Sequence, residues 1–248
     1  MVDGGAPGSG LARSAVFITA FNRVERALRG LAGDAQPFRQ LISMLRRSNA
    51  LVRRYHDELV EMSELRNAIV HDSVDPVAII AEPSEAATAL ISRIADLFEA
   101  PPRLLDLFGG KVITVRETDT LRHALELMVN NDYSQLPVYN RYGRLSDLLT
   151  ERRIAQWYGR RVVAGENCDP NLAVEAVLRS AAGPAHRNYA LLHAGATIFD
   201  AEELFAGNHN LEAIVITAGG KVHERPLGIV TAGDLARQAM DVTNSARN

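Results

Sequence analysis

The sequence has a single cysteine, little net charge and no long apolar run, and each scarcity excludes a class of protein. Cys168 alone can form neither an internal disulfide nor a thiolate metal site, which is typical of a cytoplasmic protein. No stretch approaches the roughly 20 apolar residues that a membrane-spanning helix needs, so we expect no membrane partner. Residues 1–10, MVDGGAPGSG, lack the basic start and apolar run of a signal peptide and predict a flexible tail.

The net charge of −3 argues against a protein that binds nucleic acid over its whole surface, and we expect no DNA partner. Arginine is nevertheless concentrated early, because residues 22–54 contain eight arginines against Glu25 and Asp34. Such a stretch either attracts phosphate groups or only solvates the outer faces of helices. The sequence leaves both readings open, and RNA remains a candidate partner.

Apolar residues at helical spacing predict four helices in residues 11–100. The first stripe runs from Phe17 to Leu31, and the second begins after Pro37. A third helix is predicted over residues 51–71, ending near His71, and a fourth follows Ser84, a plausible N-cap, to about Phe98. The proline pair at 101–102 predicts a domain boundary.

Beyond this boundary the pattern changes to strand, helix, strand, strand, helix, and it occurs twice. Thr120 precedes Leu136 by sixteen positions, and Thr197 precedes Ala213 by the same number, so the copies align there without gaps. The predicted fold class is α+β, with the repeats at 107–160 and 189–240 and a helix-containing linker at 161–188.

The two copies resemble cystathionine beta-synthase (CBS) domains. The resemblance rests on Leu136-Pro137-Val138, Gly143 and Leu148-Leu149-Thr150 in the first copy, and on Gly228-Ile229-Val230-Thr231 with Asp234 in the second. It implies a pseudo-twofold pair, a Bateman module, with two clefts that hold adenosine compounds. The implied regulatory ligand is ATP, ADP or AMP.

The second copy carries residue types suited to such a ligand. A carboxylate at a helix start, Asp234, can accept hydrogen bonds from both ribose hydroxyls, while Thr231 and nearby N–H groups can reach phosphate. Ala213 and Ile214 are predicted to face an adenine ring, and His193 to stack or hydrogen-bond nearby. The alternative is that Asp234 only caps the last helix.

The first copy departs from this pattern, because Arg153 stands where the second copy has Asp234. Ser146 also replaces a glycine there, which would hinder close backbone approach. We therefore predict at most one competent site. Arg153 either reaches the phosphate tail of a ligand in the other cleft or is a plain surface arginine.

The third predicted helix ends in Arg66-Asn67-Ala68-Ile69-Val70-His71. This string resembles the R-N-x-x-x-H motif of higher-eukaryote-and-prokaryote nucleotide-binding (HEPN) domains, helical dimers that include metal-independent ribonucleases. The resemblance implies His71 as general base, Arg66 as phosphate-binding cation and Asn67 as the residue that orients the imidazole. The alternative is that Asn67 and His71 close the end of a helix.

Three functions remain open: a nucleotide-regulated endoribonuclease, a non-catalytic sensor that controls a partner protein, and a structural dimer. The expected assembly is a homodimer, in which residues 101–110 connect a helical effector to the sensor. No metal is expected, because the histidines show no metal-ligand spacing.

Overall fold

A computed structural model describes residues 7–33, 36–71, 82–180 and 188–245. The chain divides into two compact units, residues 1–102 and residues 103–248. The first is helical and the second is mixed α and β, so helices precede the sheet-containing repeats. Within the described ranges, no helix combines the length and the apolar character needed to cross a bilayer.

The first unit is built from helices around one apolar core. Its helices are α1 (Pro7–Ala32), α2 (Phe38–Leu45), α3 (Ala50–Arg54), α4 (His56–His71) and α5 (Glu85–Glu99). Phe17 and Leu28 of α1 are fully buried and pack in the same cluster as Ile91 and Ile94 of α5. The helix α1 begins inside the segment predicted as a tail, while residues 1–6 lie outside the described residues.

Two predicted helix boundaries in this unit had different outcomes. Ser84 is the N-cap of α5, as predicted, and its side chain accepts a hydrogen bond from the Ala87 N–H. The prediction of one helix over residues 51–71, and with it four helices, is wrong, because the chain turns at Tyr55 (φ −105°, ψ 23°). The Arg53 guanidinium ties α3 back to the carbonyls of Arg46 and Arg47, at the end of α2.

The second unit contains two three-stranded sheets with the same topology. Its elements are α6 (Leu104–Phe108), β1 (Val115–Arg116), α7 (Leu121–Asn131), β2 (Gln135–Tyr139), β3 (Leu145–Thr150), α8 (Glu151–Val163), α9 (Val174–Ser180), β4 (Tyr189–His193), α10 (Ile198–Gly207), β5 (Ala213–Thr217), β6 (Pro226–Val230) and α11 (Ala232–Ser245). In each sheet the first strand is parallel to the second, and the second is antiparallel to the third. Each repeat therefore has the order β-α-β-β-α.

The register of the two sheets corrects the gap-free alignment of the copies. Leu136 pairs with Leu149 in the first sheet, and Ile214 pairs with Val230 in the second. Leu149 and Val230 each directly precede the last threonine of their repeat, so Leu136 corresponds to Ile214 and not to Ala213. The extra residue lies in the turn between α10 and β5. A one-residue shift would exchange the β5 side chains that pack between the sheets with those that pack in the core of the second repeat, so core packing fixes the register.

The two repeats are joined through an apolar cluster between their sheets. Leu145 and Leu148 of β3 pack with Tyr189, Ala213 and Val215 of β4 and β5, and all five are buried. Each repeat has its own further core beneath its helices. The two repeats consequently pack as one compact unit.

Candidate functional site

Thr231 and Asp234 form a reciprocal hydrogen-bonded pair at the junction of β6 and α11. Asp234 Oδ2 accepts hydrogen bonds from the Thr231 N–H and from the Thr231 hydroxyl, both at 2.8 Å. The Asp234 N–H donates to Thr231 Oγ1 at 3.2 Å. This is a capping box, which satisfies backbone groups that a helix start leaves open. The capping alternative is therefore present in the structure.

The same pair lies on the wall of a cavity of about 430 Å³, a volume within the range of small-ligand sites. The wall combines the segment before β1, the turn from α7 into β2, and the junction of β6 with α11. Its residues are Phe108, Gly109, Gly110, Lys111, Val112, Ile113, Asp132, Tyr133, Ser134, Gln135, Pro137, Ile229, Thr231, Asp234 and Arg237. We call it the Asp234 cavity.

On one wall of the Asp234 cavity, the backbone of residues 108–110 lies unusually close to the backbone of β6. Gly109 forms an isolated bridge with Gly228 of β6, and the Gly110 N–H donates to the Leu227 carbonyl at 2.9 Å. A Cβ on Gly228 would lie 2.6 Å from the carbonyl oxygen of Phe108, so only glycine fits there without movement. The segment preceding β1 is thus fixed against β6 of the second repeat.

The Asp234 carboxylate keeps unused acceptor capacity. A carboxylate offers about four lone-pair positions. Oδ2 uses two of them in the capping box, and Oδ1 accepts one hydrogen bond from Arg237 Nη2 at 2.5 Å. The Thr231 hydroxyl already donates its one hydrogen bond to Asp234, so it keeps only acceptor capacity. In this arrangement Thr231 cannot donate to a phosphate.

At the corresponding junction of the first repeat, Arg153 forms an ion pair with Asp147. Arg153 Nη1 lies 2.6 Å from Asp147 Oδ1, and it also donates to the Leu148 carbonyl at 3.1 Å. The Arg153 side chain is 16% exposed and lies outside the lining of the Asp234 cavity. Asp147, three residues before Thr150, occupies the place of Gly228. The assignment of Ser146 to that place is wrong by one residue, because Ser146 is four residues before the threonine.

The family comparison agrees with this topology. The model of the CBS domain family matches residues 106–160 and 185–241. Each segment contains the three strands and the first helix of one β-α-β-β-α repeat, together with most of its last helix. These segments form a tandem pair of CBS domains.

Several solved structures resemble the CBS pair. The CBS-domain pair of protein MJ0100, in complex with 5-methylthioadenosine and S-adenosyl-L-methionine, is 16% identical over 57% of this chain and 98% of that chain, with a TM-score of 0.43. CBSX2 in complex with AMP is 16% identical over 57% of this chain and 98% of its own, with a TM-score of 0.42. The CBS domains of a transcriptional regulator from Streptococcus pneumoniae are 19% identical over 54% and 97%, with a TM-score of 0.40. Among curated proteins, none matches the chain.

The remaining residues predicted for nucleotide binding lie elsewhere in the CBS pair. Ala213 and Ile214 are fully buried at the start of β5. Ala213 belongs to the cluster between the sheets, and Ile214 belongs to the core of the second repeat. His193 ends β4, and its Nδ1 accepts a hydrogen bond from the Gly195 N–H at 3.1 Å. The lining of the Asp234 cavity includes none of these three, while it does include Thr231 and Asp234.

Arg66 and Asn67 lie together near the end of α4 in the helical unit. Arg66 Nη1 donates to Asn67 Oδ1 at 3.3 Å. The Arg66 Nε is buried and has no hydrogen-bond partner within the described part of the chain. His71 is the last residue of α4, and its side chain lies outside the described residues.

A second cavity of about 850 Å³ borders the Asp234 cavity and shares residues 110–112 with it. Its wall includes Glu224, whose carboxylate accepts hydrogen bonds from the Gly219 N–H at 2.7 Å and the Thr217 hydroxyl at 2.8 Å. These bonds hold the pKa of Glu224 below its ordinary value. Burial raises the pKa of Tyr139, on the same wall, to about 12, so its phenol stays protonated at neutral pH.

No cluster of three or more histidine, cysteine or acidic side chains suited to a metal ion occurs among the described residues. The lining of the Asp234 cavity supplies two carboxylates, Asp132 and Asp234, two cations, Lys111 and Arg237, and an apolar wall.

Sequence reasoning missed most of the cavity wall. Lys111 belongs to a segment without a recognisable motif, and Tyr133 precedes the strand that was identified. Pro137 was noticed as part of the family signature and not as a lining residue. Arg237 carried a usable signal, because it follows Asp234 by three positions on a helix and can pair with it.

Proposed function

We propose that the CBS pair binds an adenine nucleotide, ATP, ADP or AMP, whose ribose hydroxyls donate to Asp234. A CBS pair is typically a regulatory module that binds an adenine nucleotide. The observation that carries the proposal is the position of a helix-leading carboxylate, with one acceptor position free, on the wall of a nucleotide-sized cavity. The apolar side chains of Val112, Ile113 and Pro137 give that wall a surface suited to a purine ring.

The first test is stabilisation by the ligand. A ligand that binds only the folded state, at about 100 times its dissociation constant, stabilises it by about 2.7 kcal/mol. Trp157, the single tryptophan, is buried in the first repeat, so its fluorescence reports unfolding of the CBS pair. We expect AMP, ADP or ATP to raise the melting temperature of the wild type.

The chain offers a matched control for this test. Thr197 and Asp200 form the same capping box at α10, with hydrogen bonds of 2.7 and 2.8 Å to Asp200 Oδ2, away from the Asp234 cavity. Asp200→Ala should lose stability but keep the nucleotide-dependent shift, whereas Asp234→Ala should lose both. Equal shifts in both variants would leave Asp234 with capping alone and sink the proposal.

We further propose that the helical unit is a HEPN-like effector, in a homodimer, and that nucleotide binding regulates it. A ligand that binds one arrangement of the protein more tightly shifts the effector by at most that difference in affinity. The alternative is a non-catalytic sensor or dimerisation scaffold that controls a partner protein. Nucleotide-dependent capture of a partner, without change in any catalysed reaction, would favour that alternative.

The candidate activity of the effector is metal-independent RNA cleavage by Arg66, Asn67 and His71. It is favoured by the R-N-x-x-x-H string and by the position of Arg66 beside Asn67, with an Arg66 Nε that has no acceptor among the residues that the structure describes. We expect cleavage of RNA in chelator by the wild type and a loss of about 10²–10⁴-fold in His71→Ala. Equal cleavage by both proteins would identify a contaminating nuclease.

A further inference from the structure

The Asp234 carboxylate has too few free lone pairs to hold a ribose as the protein stands. Three of about four positions are taken, two by Thr231 and one by Arg237. Two ribose hydroxyls need two acceptor positions. One existing hydrogen bond must therefore be released when a ribose binds in the way proposed above.

Arg237 is the partner that yields most easily. The two hydrogen bonds from Thr231 cap α11, and losing them would leave the Thr231 N–H without its acceptor. The Arg237 side chain is 73% exposed, and exposed ion pairs contribute little to stability. Ribose binding thus frees a guanidinium that lines the same cavity.

A freed guanidinium binds an anion more strongly than a neutral group, and a ligand anion competes for it with the exposed Asp132 carboxylate of the same lining. Guanidinium groups bind phosphate through two parallel hydrogen bonds. The Thr231 hydroxyl cannot serve instead, because it already donates its one hydrogen bond to Asp234. The other cation of the lining, Lys111, is exposed and has no ion pair among the described residues.

We propose that Arg237 is the phosphate-binding residue of the Asp234 cavity, so that the CBS pair selects 5′-phosphorylated adenosines over neutral adenosines. This inference rests on the proposed nucleotide binding and deepens it. Arg237 then exchanges one carboxylate oxygen for phosphate oxygens as the ribose takes its place on Asp234.

The test compares three ligands by calorimetry on the full chain: adenosine, AMP and 5′-methylthioadenosine, which is neutral but carries a 5′ substituent. We expect AMP to bind roughly tenfold more tightly than either neutral compound, with a preference that shrinks at high salt. Arg237→Gln should weaken AMP binding by a similar factor, yet leave adenosine binding equal or stronger, because Asp234 then loses its competitor. A merely structural role for Arg237 would lower both affinities together.

Three further variants fix the interpretation. Arg237→Lys should keep most of the preference for AMP. Arg179→Gln, which removes an equally exposed arginine (72%) paired with Glu175 on α9, should change nothing. Loss of the preference in Lys111→Met but not in Arg237→Gln would overturn the assignment, as would equal wild-type affinities for AMP and adenosine. Failure of all three compounds to bind would instead refute the proposed function itself.

Discussion

Replacing Gly228 by alanine should destabilise the CBS pair and distort the Asp234 cavity. The added Cβ would lie 2.6 Å from the Phe108 carbonyl oxygen and 3.2 Å from Ile216 Cδ1, so the backbone of residues 108–110 must move. Overpacking of this kind costs about 1–3 kcal/mol. With a urea dependence of about 2 kcal/mol per molar, a loss of about 2 kcal/mol lowers the unfolding midpoint by about 1 M.

The assay is urea unfolding followed by the fluorescence of Trp157, which reports on the second unit alone because it is the single tryptophan. Two glycines serve as controls, since a Cβ at either would meet no atom within 4 Å. Gly110→Ala, in the same segment, should leave the midpoint nearly unchanged. Gly159→Ala, inside α8, should raise stability by about 0.5–1 kcal/mol. A wild-type midpoint for Gly228→Ala would refute the close approach of Phe108 to β6.

Two other substitutions probe the charged groups of the pair. The pKa of Glu224 is lowered in the folded protein, so its charged carboxylate stabilises the fold fully above the ordinary pKa of 4.5, and this stabilisation is lost as the pH falls further. Glu224→Gln should remove the stabilisation. The stability gap between wild type and variant should therefore close on acidification, and a gap that stays constant from neutral to acid pH would contradict this. Arg153→Met should cost about 1–2 kcal/mol because it strands the half-buried Asp147, and Asp147→Leu in the same chain should restore part of the loss. An unchanged urea midpoint for Arg153→Met would refute the role of this ion pair.

Local features were predictable from the sequence because their causes lie within a few residues. The cap at Ser84 follows from a side chain that reaches an N–H three residues ahead. The contact between Thr231 and Asp234 follows in the same way from their spacing at the start of a helix. The order of helices and strands in each repeat also follows from the apolar pattern.

Features that depend on distant residues were not predictable. Nothing near Phe108 indicates that its carbonyl meets Gly228, which is far away in the chain. The register that matches Leu136 with Ile214 is decided by packing across a sheet, and the apolar pattern fits either alignment. The turn at Tyr55 contains neither glycine nor proline, so the spacing of apolar residues continues through it.

The most direct test of the central claim is the affinity of the wild-type protein for AMP compared with 2′-deoxy-AMP, which lacks one ribose hydroxyl. If Asp234 accepts that hydroxyl, the deoxy compound should bind roughly 10- to 100-fold more weakly, as expected for a lost hydrogen bond to a charged group. Asp234→Asn should abolish most of this difference. Equal wild-type affinities for the two nucleotides would contradict a ribose-binding role for Asp234.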